Sequence, residues 1–183
     1  MVFSPFSNNE NKLYLVFFSF CCTSCVAVVL MCVRSDHFKW TCANVLIGLG
    51  DPYSTGGADA FEKAAKARQI DVCKKSRYLA GSGDMAAAIE EIIAKKCCRV
   101  TVVFGQAQDL ASLFFEAHEQ HYNGEWIVGE SVVGSLDDVV KELKKTDLSE
   151  SEVHESLLGM YAFAWQEVEN RRYNNTLLQT QAH

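Results

Sequence analysis

From Cys42 onward, short apolar runs alternate with amphipathic stretches, and this alternation constrains the fold more than any other feature of the chain. Cys42–Leu49 is almost wholly apolar and ends in Gly48-Leu49-Gly50, as a strand buried on both faces does. Over 57–68, Ala60, Phe61, Ala64 and Ala67 share one helical face opposite Glu62, Lys63 and Lys66. Residues 70–73 read as a second strand, and Gly81-Ser82-Gly83 opens a helix striped by Met85, Ala88, Ile89, Ile92 and Ile93. Val100–Phe104 is a third strand, followed by a helix marked by Leu110, Leu113, Phe114 and Ala117. Residues 126–128 form a fourth strand, and Leu136, Val139, Val140 and Leu143 a fourth helix. Ser149-Glu150-Ser151-Glu152 is a capping box that starts a fifth. Strands and helices at this spacing predict an α/β fold, a three-layer parallel sheet with helices on both faces.

In open sheets of this kind ligands bind beyond the carboxyl ends of the strands. The loops that matter are therefore 50–56, 81–83, 105–107 and 129–134, each polar and carrying glycine. A dinucleotide fingerprint starting at Gly48 would need its third glycine where Tyr53 stands, and no Gly-Lys-Ser/Thr closes a phosphate loop. The net charge of −6 argues against nucleic acid, whose phosphates call for a basic surface. No serine, cysteine or carboxylate pair forms a catalytic constellation, and neither a cofactor nor a metal is expected. His118 and His121 lie three apart without a third ligand and read as solvated. Of the eight cysteines, Cys22 and Cys25 have redox spacing but sit in an apolar run, and the adjacent Cys97 and Cys98 read as packed core residues. Pairing does not follow from sequence alone.

Before residue 34 the character changes. Residues 13–33 carry no charge and lie between Lys12 and Arg34; as a helix they would span roughly 30 Å, a bilayer's hydrocarbon thickness. The expectation is an apolar N-terminal helix, acting as a signal peptide or membrane anchor. The competing readings are a buried helix or a stretch foreign to the domain. Arg34 and Lys39 on its C-terminal flank would, by the positive-inside rule, keep the rest of the chain on the cytoplasmic side. Three regions result: 1–33, the ligand-binding lobe 34–172 and a C-terminal tail 173–183, with a glycosylation sequon at Asn174.

Several segments resemble one family. These are 34–40 with its His37-Phe38-Lys39-Trp40 turn, the loop Asp51-Pro52-Tyr53-Ser54 running on to Phe61, and the helix ending in Glu62, Ala65, Lys66, Arg68 and Ile70. The strand 99–105 and the strand end 126–131 complete the set. Together, over about 34–163, they resemble the second lobe of type 1 periplasmic-binding-like domains. More narrowly, they resemble the receptor-family ligand-binding region of natriuretic peptide and class C G-protein-coupled receptors. The resemblance implies a clamshell that binds a small, possibly amino-acid-like ligand between two lobes and signals through a membrane-attached effector. It places Tyr53 and Ser54, Gly105 and Gln106, and Glu130 and Ser131 on the cleft wall, with Tyr53 on the ligand and Glu130 receiving an ammonium group. It also implies a fragment of an extracellular, membrane-attached receptor, a missing first lobe as partner, and a homo-oligomer formed through the receptor. Ser54 stands where the family usually has glycine. The alternatives are a solute-binding protein of a transporter and, third, a doubly wound enzyme.

Overall fold

The computed structural model describes the backbone of residues 2–6, 13–18, 40–129 and 135–165, with side chains for 40–129 and 135–161. Twelve elements follow in order: β1 (Val2–Phe6), β2 (Leu13–Phe18), β3 (Cys42–Leu49), α1 (Pro52–Ala67), β4 (Asp71–Leu79) and α2 (Ala86–Lys95). Then come β5 (Val100–Phe104), α3 (Ala107–Glu119), β6 (Glu125–Val128), α4 (Leu136–Leu143), α5 (Glu150–Ser156) and β7 (Met160–Trp165). They build one sheet in the order β1-β2-β7-β6-β5-β3-β4. Strands β3 to β7 are mutually parallel, β2 runs parallel to β7, and β1 is antiparallel to β2.

The expected α/β layering is present, and the sheet divides the core in two. On one face Leu46, Val103, Trp126 and Met160 pack with residues of α2 to α5, including Ile89, Phe114 and Leu143. On the other, Val45, Ile47, Val102, Phe104 and Ile127 pack with Ala58, Phe61 and Ala65 of α1. Strand β5 is buried along its whole length because it contributes alternate residues to both layers. Phe114 and Trp126, both buried, meet edge to face at 5.7 Å.

Four expectations need adjusting. Leu13–Phe18, the start of the apolar run read as a helix, is strand β2, its leucine, tyrosine, valine and phenylalanine residues hydrogen-bonding alongside β7 in register Tyr14 to Tyr161. The rest of that run, 19–33, lies outside the described residues, as does Asn174. No described helix is long and apolar enough to cross a membrane.

Helix α1 begins at Pro52, not near residue 57. Asp51 caps it by accepting from the Tyr53 N–H at 2.9 Å, and proline suits a first turn whose N–H would go unpaired. Strand β4 runs on to Leu79 rather than stopping at Cys73. It is an edge strand whose Lys74 and Lys75 reach opposite faces, to Glu91 on α2 at 3.1 Å and Glu62 on α1 at 3.0 Å. Those charges hide its period from a search for apolar alternation.

Finally, Cys97 and Cys98 are not packed core thiols. Cys98 is disulfide-bonded to Cys42 at the start of β3, and Cys97 to Cys73 on β4, with Cα separations of 5.9 and 6.2 Å. The two bridges clamp the amino-terminal ends of β3, β4 and β5 together. Beside them, buried Asn44 donates to the Cys98 carbonyl at 2.9 Å. The capping box at Ser149 is present as expected, its side chain and that of Glu152 satisfying each other's backbone N–H groups.

Candidate functional site

All the parallel strands point their carboxyl ends to one edge, so the segments after β3, β4 and β5, and Gly129 after β6, gather there. Tyr53 and Ser54, expected in a loop, occupy the first turn of α1. Tyr53 is half-buried; its ring meets Phe104 of β5 edge to face at 6.2 Å, and its hydroxyl lies against Gly129 at the end of β6. A side chain at 129 would collide with that hydroxyl, so glycine there is what lets Tyr53 reach across from the β3 end to the β6 end. Gly105 is buried at the end of β5, and Gln106 is exposed as the N-cap residue of α3. The edge therefore brings together Tyr53, Gly105 and Gln106. Glu130 and Ser131, next in the chain after Gly129, lie outside the described residues.

Ser54 faces inward. It is fully buried, and its Oγ accepts from the Gly48 N–H at 2.7 Å. Its hydroxyl pins the first turn of α1 to the end of β3.

Three side chains of this edge are missed by sequence reasoning: Asp51, Tyr78 and Asp109. Tyr78, 5% exposed, projects from β4 beneath the edge. Its hydroxyl sits between β3 and β5, where a Cβ added at either Gly48 or Gly105 would lie 2.9 Å from it. Burial and then the negative charges of Asp109 and Asp51 push the phenol well above its ordinary value, so it stays protonated and remains a donor. Asp109, on the first turn of α3 and 3% exposed, accepts from the Gly81 N–H at 2.8 Å through Oδ1. Asp51 uses Oδ1 for its helix cap, while Oδ2 is buried without a hydrogen-bond partner. The signals for Asp51 and Asp109 are local: an aspartate before Pro52, and one in the first turn after a strand-ending glycine. Tyr78 has none, because the charged positions of β4 conceal the strand that carries it.

A hollow of about 560 Å³ lies at the opposite edge, beneath the amino-terminal ends of the strands, with His118, His121, Arg99 and Glu155 in its wall. Two of its polar side chains are engaged with the protein itself. Arg99 donates to the Asn123 carbonyl at 3.3 Å, and Tyr122 shares a hydrogen bond with Thr101 at 2.8 Å. Among the described residues no group of three or more histidine, cysteine, aspartate or glutamate side chains could hold a metal ion. The carboxyl edge, where glycine-lined strand ends meet an aromatic side chain and an exposed polar one, has the character of a ligand site.

An open α/β sheet with parallel central strands and helices on both faces is the fold of type 1 periplasmic-binding-like domains. The chain matches the receptor family ligand binding region over residues 5–182 and belongs to that family. Solved structures of similar fold include the leucine-binding protein LivK of Thermotoga maritima (13% identity, TM-score 0.56, covering 66% of this chain and 33% of that one). A type 1 periplasmic binding protein of Bordetella pertussis aligns at 16% identity and TM-score 0.55, covering 75% and 32% of the two chains. The branched-chain amino acid transporter substrate-binding protein LivJ of Streptococcus pneumoniae, solved with isoleucine, aligns at 15% identity and TM-score 0.56, covering 64% and 32%. The chain thus spans about a third of the length of each of these structures. Comparison with curated proteins gives no significant match. The family is one of extracellular or periplasmic ligand-binding regions.

Proposed function

We propose that this chain supplies one wall of the ligand cleft of a receptor, and that it is a binding module rather than an enzyme. The family match over 5–182, together with Tyr53, Gly105 and Gln106 meeting at the strand ends, carries this reading. The ligand is a small molecule, amino-acid-like in its simplest form. It lies against the Tyr53 ring, is hydrogen-bonded by Gln106, and is completed by Glu130 and Ser131 after β6, with Glu130 taking an ammonium group through a charge-assisted contact. A first lobe closes over this wall, and closure is passed to a membrane-attached effector. The two disulfides favour an extracellular placement, since such bridges persist in oxidising compartments.

Titration calorimetry of the oxidised chain against a panel of free L-amino acids tests the proposal. At least one should bind, and Tyr53→Ala should weaken that binding about tenfold or more, the usual worth of a buried aromatic contact. Failure of every panel member to bind, or undiminished affinity in the Tyr53→Ala protein, would sink it.

A further inference from the structure

We infer that Ser54, Tyr78 and Asp109 form one buried polar network that locks the loops after β3, β4 and β5 into a single rigid wall. It rests on the binding-edge reading above and adds to it three positioning residues. Each anchors a different loop. Ser54 on α1 holds the end of β3 through the Gly48 N–H at 2.7 Å. Asp109 on α3 holds the β4–α2 turn through the Gly81 N–H at 2.8 Å, at a glycine whose φ of 76° only a glycine adopts easily. Tyr78 lies between these two anchors. Its hydroxyl occupies the space that glycine leaves at both 48 and 105, in contact distance of the β3 end and the β5 end together.

The phenol is 5% exposed and protonated, so it has a proton to donate and only this neighbourhood to donate it to. The hydroxyl makes no hydrogen bond of regular geometry in the structure, and Ser54 Oγ and the Asp109 carboxylate are the acceptors within reach of its proton. A buried donor between two acceptors, each already committed to a backbone N–H, makes the position of either anchor depend on the other. The edge strand β4 is thereby tied to the inner strands at the site itself, while the Cys73–Cys97 disulfide ties it at the far end. None of the three side chains needs to touch ligand. They fix where Tyr53 and Gln106 stand, since these are neighbours of Ser54 and Gly105 in the chain.

Residue-resolved amide hydrogen exchange on the oxidised chain, without ligand, tests this independently of whether any panel compound binds. Tyr78→Phe keeps the ring and removes only the hydroxyl. It should speed exchange at both Gly48 and Gly81 about tenfold, the effect of losing one buried hydrogen bond on local opening. The amides of Val102 and Val103 in the middle of β5 should be unchanged. Ser54→Ala should speed Gly81 as well as Gly48, Asp109→Ala should speed Gly48 as well as Gly81, and Ser54→Thr should restore both. Anchors that act separately would give a different pattern: Ser54→Ala moving only Gly48, Asp109→Ala moving only Gly81, and Tyr78→Phe moving neither. That result overturns the network even if Tyr53 proves to bind ligand.

Discussion

The disulfides allow a stability experiment whose size can be worked out beforehand. Cys42–Cys98 closes a loop of sequence separation 56, and Cys73–Cys97 a loop of 24 lying wholly inside it. The chain-entropy relation assigns about 4.2 kcal/mol to the outer bridge and about 3.4 kcal/mol to the inner one at 25 °C. Because the loops are nested, an inner bridge already in place shortens the effective outer loop to about 30 residues, which lowers the outer bridge's contribution by about 0.5 kcal/mol. A Cys42→Ser/Cys98→Ser protein should therefore lose more stability than a Cys73→Ser/Cys97→Ser protein. Removing both pairs should cost slightly more than the sum of the two single losses, because each single loss is measured with the other bridge still in place. That combined loss of about 7 kcal/mol is comparable with the whole stability of a typical domain, so the fully reduced chain should be largely unfolded. Urea unfolding of the four forms, with midpoint and slope fitted together, measures these differences. The pairing can be checked first by a non-reducing tryptic map. Cys97 and Cys98 share the short peptide ending at Arg99, so that peptide should be linked to two others, one carrying Cys42 and one carrying Cys73. The reasoning is refuted if the inner pair proves the more stabilising, or if reduction leaves the urea midpoint where it was.

Two further outcomes follow from the packing and the charges. Tyr78 has its folded pKa raised, so the fold is favoured while the phenol is protonated, and that stability is lost as pH climbs above about 10, where an unfolded tyrosine ionises. Alkaline unfolding followed by circular dichroism should begin at higher pH in Tyr78→Phe than in the parent; an unchanged onset would remove the buried phenol from the account. Phe114, fully buried against Trp126, should cost about 3–5 kcal/mol when truncated to alanine. A loss below about 1 kcal/mol in urea unfolding would mean that the α3 layer closes over the gap far better than its packing implies.

The parts of the fold that can be read from the chain are those whose side chains face one environment. Strands β3 and β5 are buried on both faces and appear as largely apolar runs with the bounds observed in the sheet. Helices α3 and α4 show their apolar stripe, and α5 its capping box. Edge and terminal strands are harder. In β4 only Ser76 and Tyr78 are buried, while Asp71, Lys74, Lys75 and Arg77 fill four of the other positions, so the local pattern is that of a charged surface. Strand β7 follows closely on α5 and holds its place by pairing with β6 and β2, which are far away in sequence. The apolar run from Leu13 has the length of a membrane helix, yet its first six residues pair as a strand because β7 offers them a partner. Periodicity reports burial, and pairing partners are invisible to it.

The same distinction separates the site residues that sequence reasoning finds from those it misses. Tyr53, Gly105 and Gln106 follow strand ends directly, so a rule about strand ends reaches them. Tyr78 reaches the edge only because two glycines on neighbouring strands leave room for its hydroxyl, a coincidence of Gly48 and Gly105 that exists in the sheet and nowhere in the linear order. Ser54 makes the point most sharply. As a departure from the family's glycine it puts the loop geometry in question; in the structure it supplies the hydrogen bond that sets that geometry. Ser54 gives the Gly48 N–H a partner in the buried space beside the Tyr78 hydroxyl, where no solvent-facing side chain could serve it.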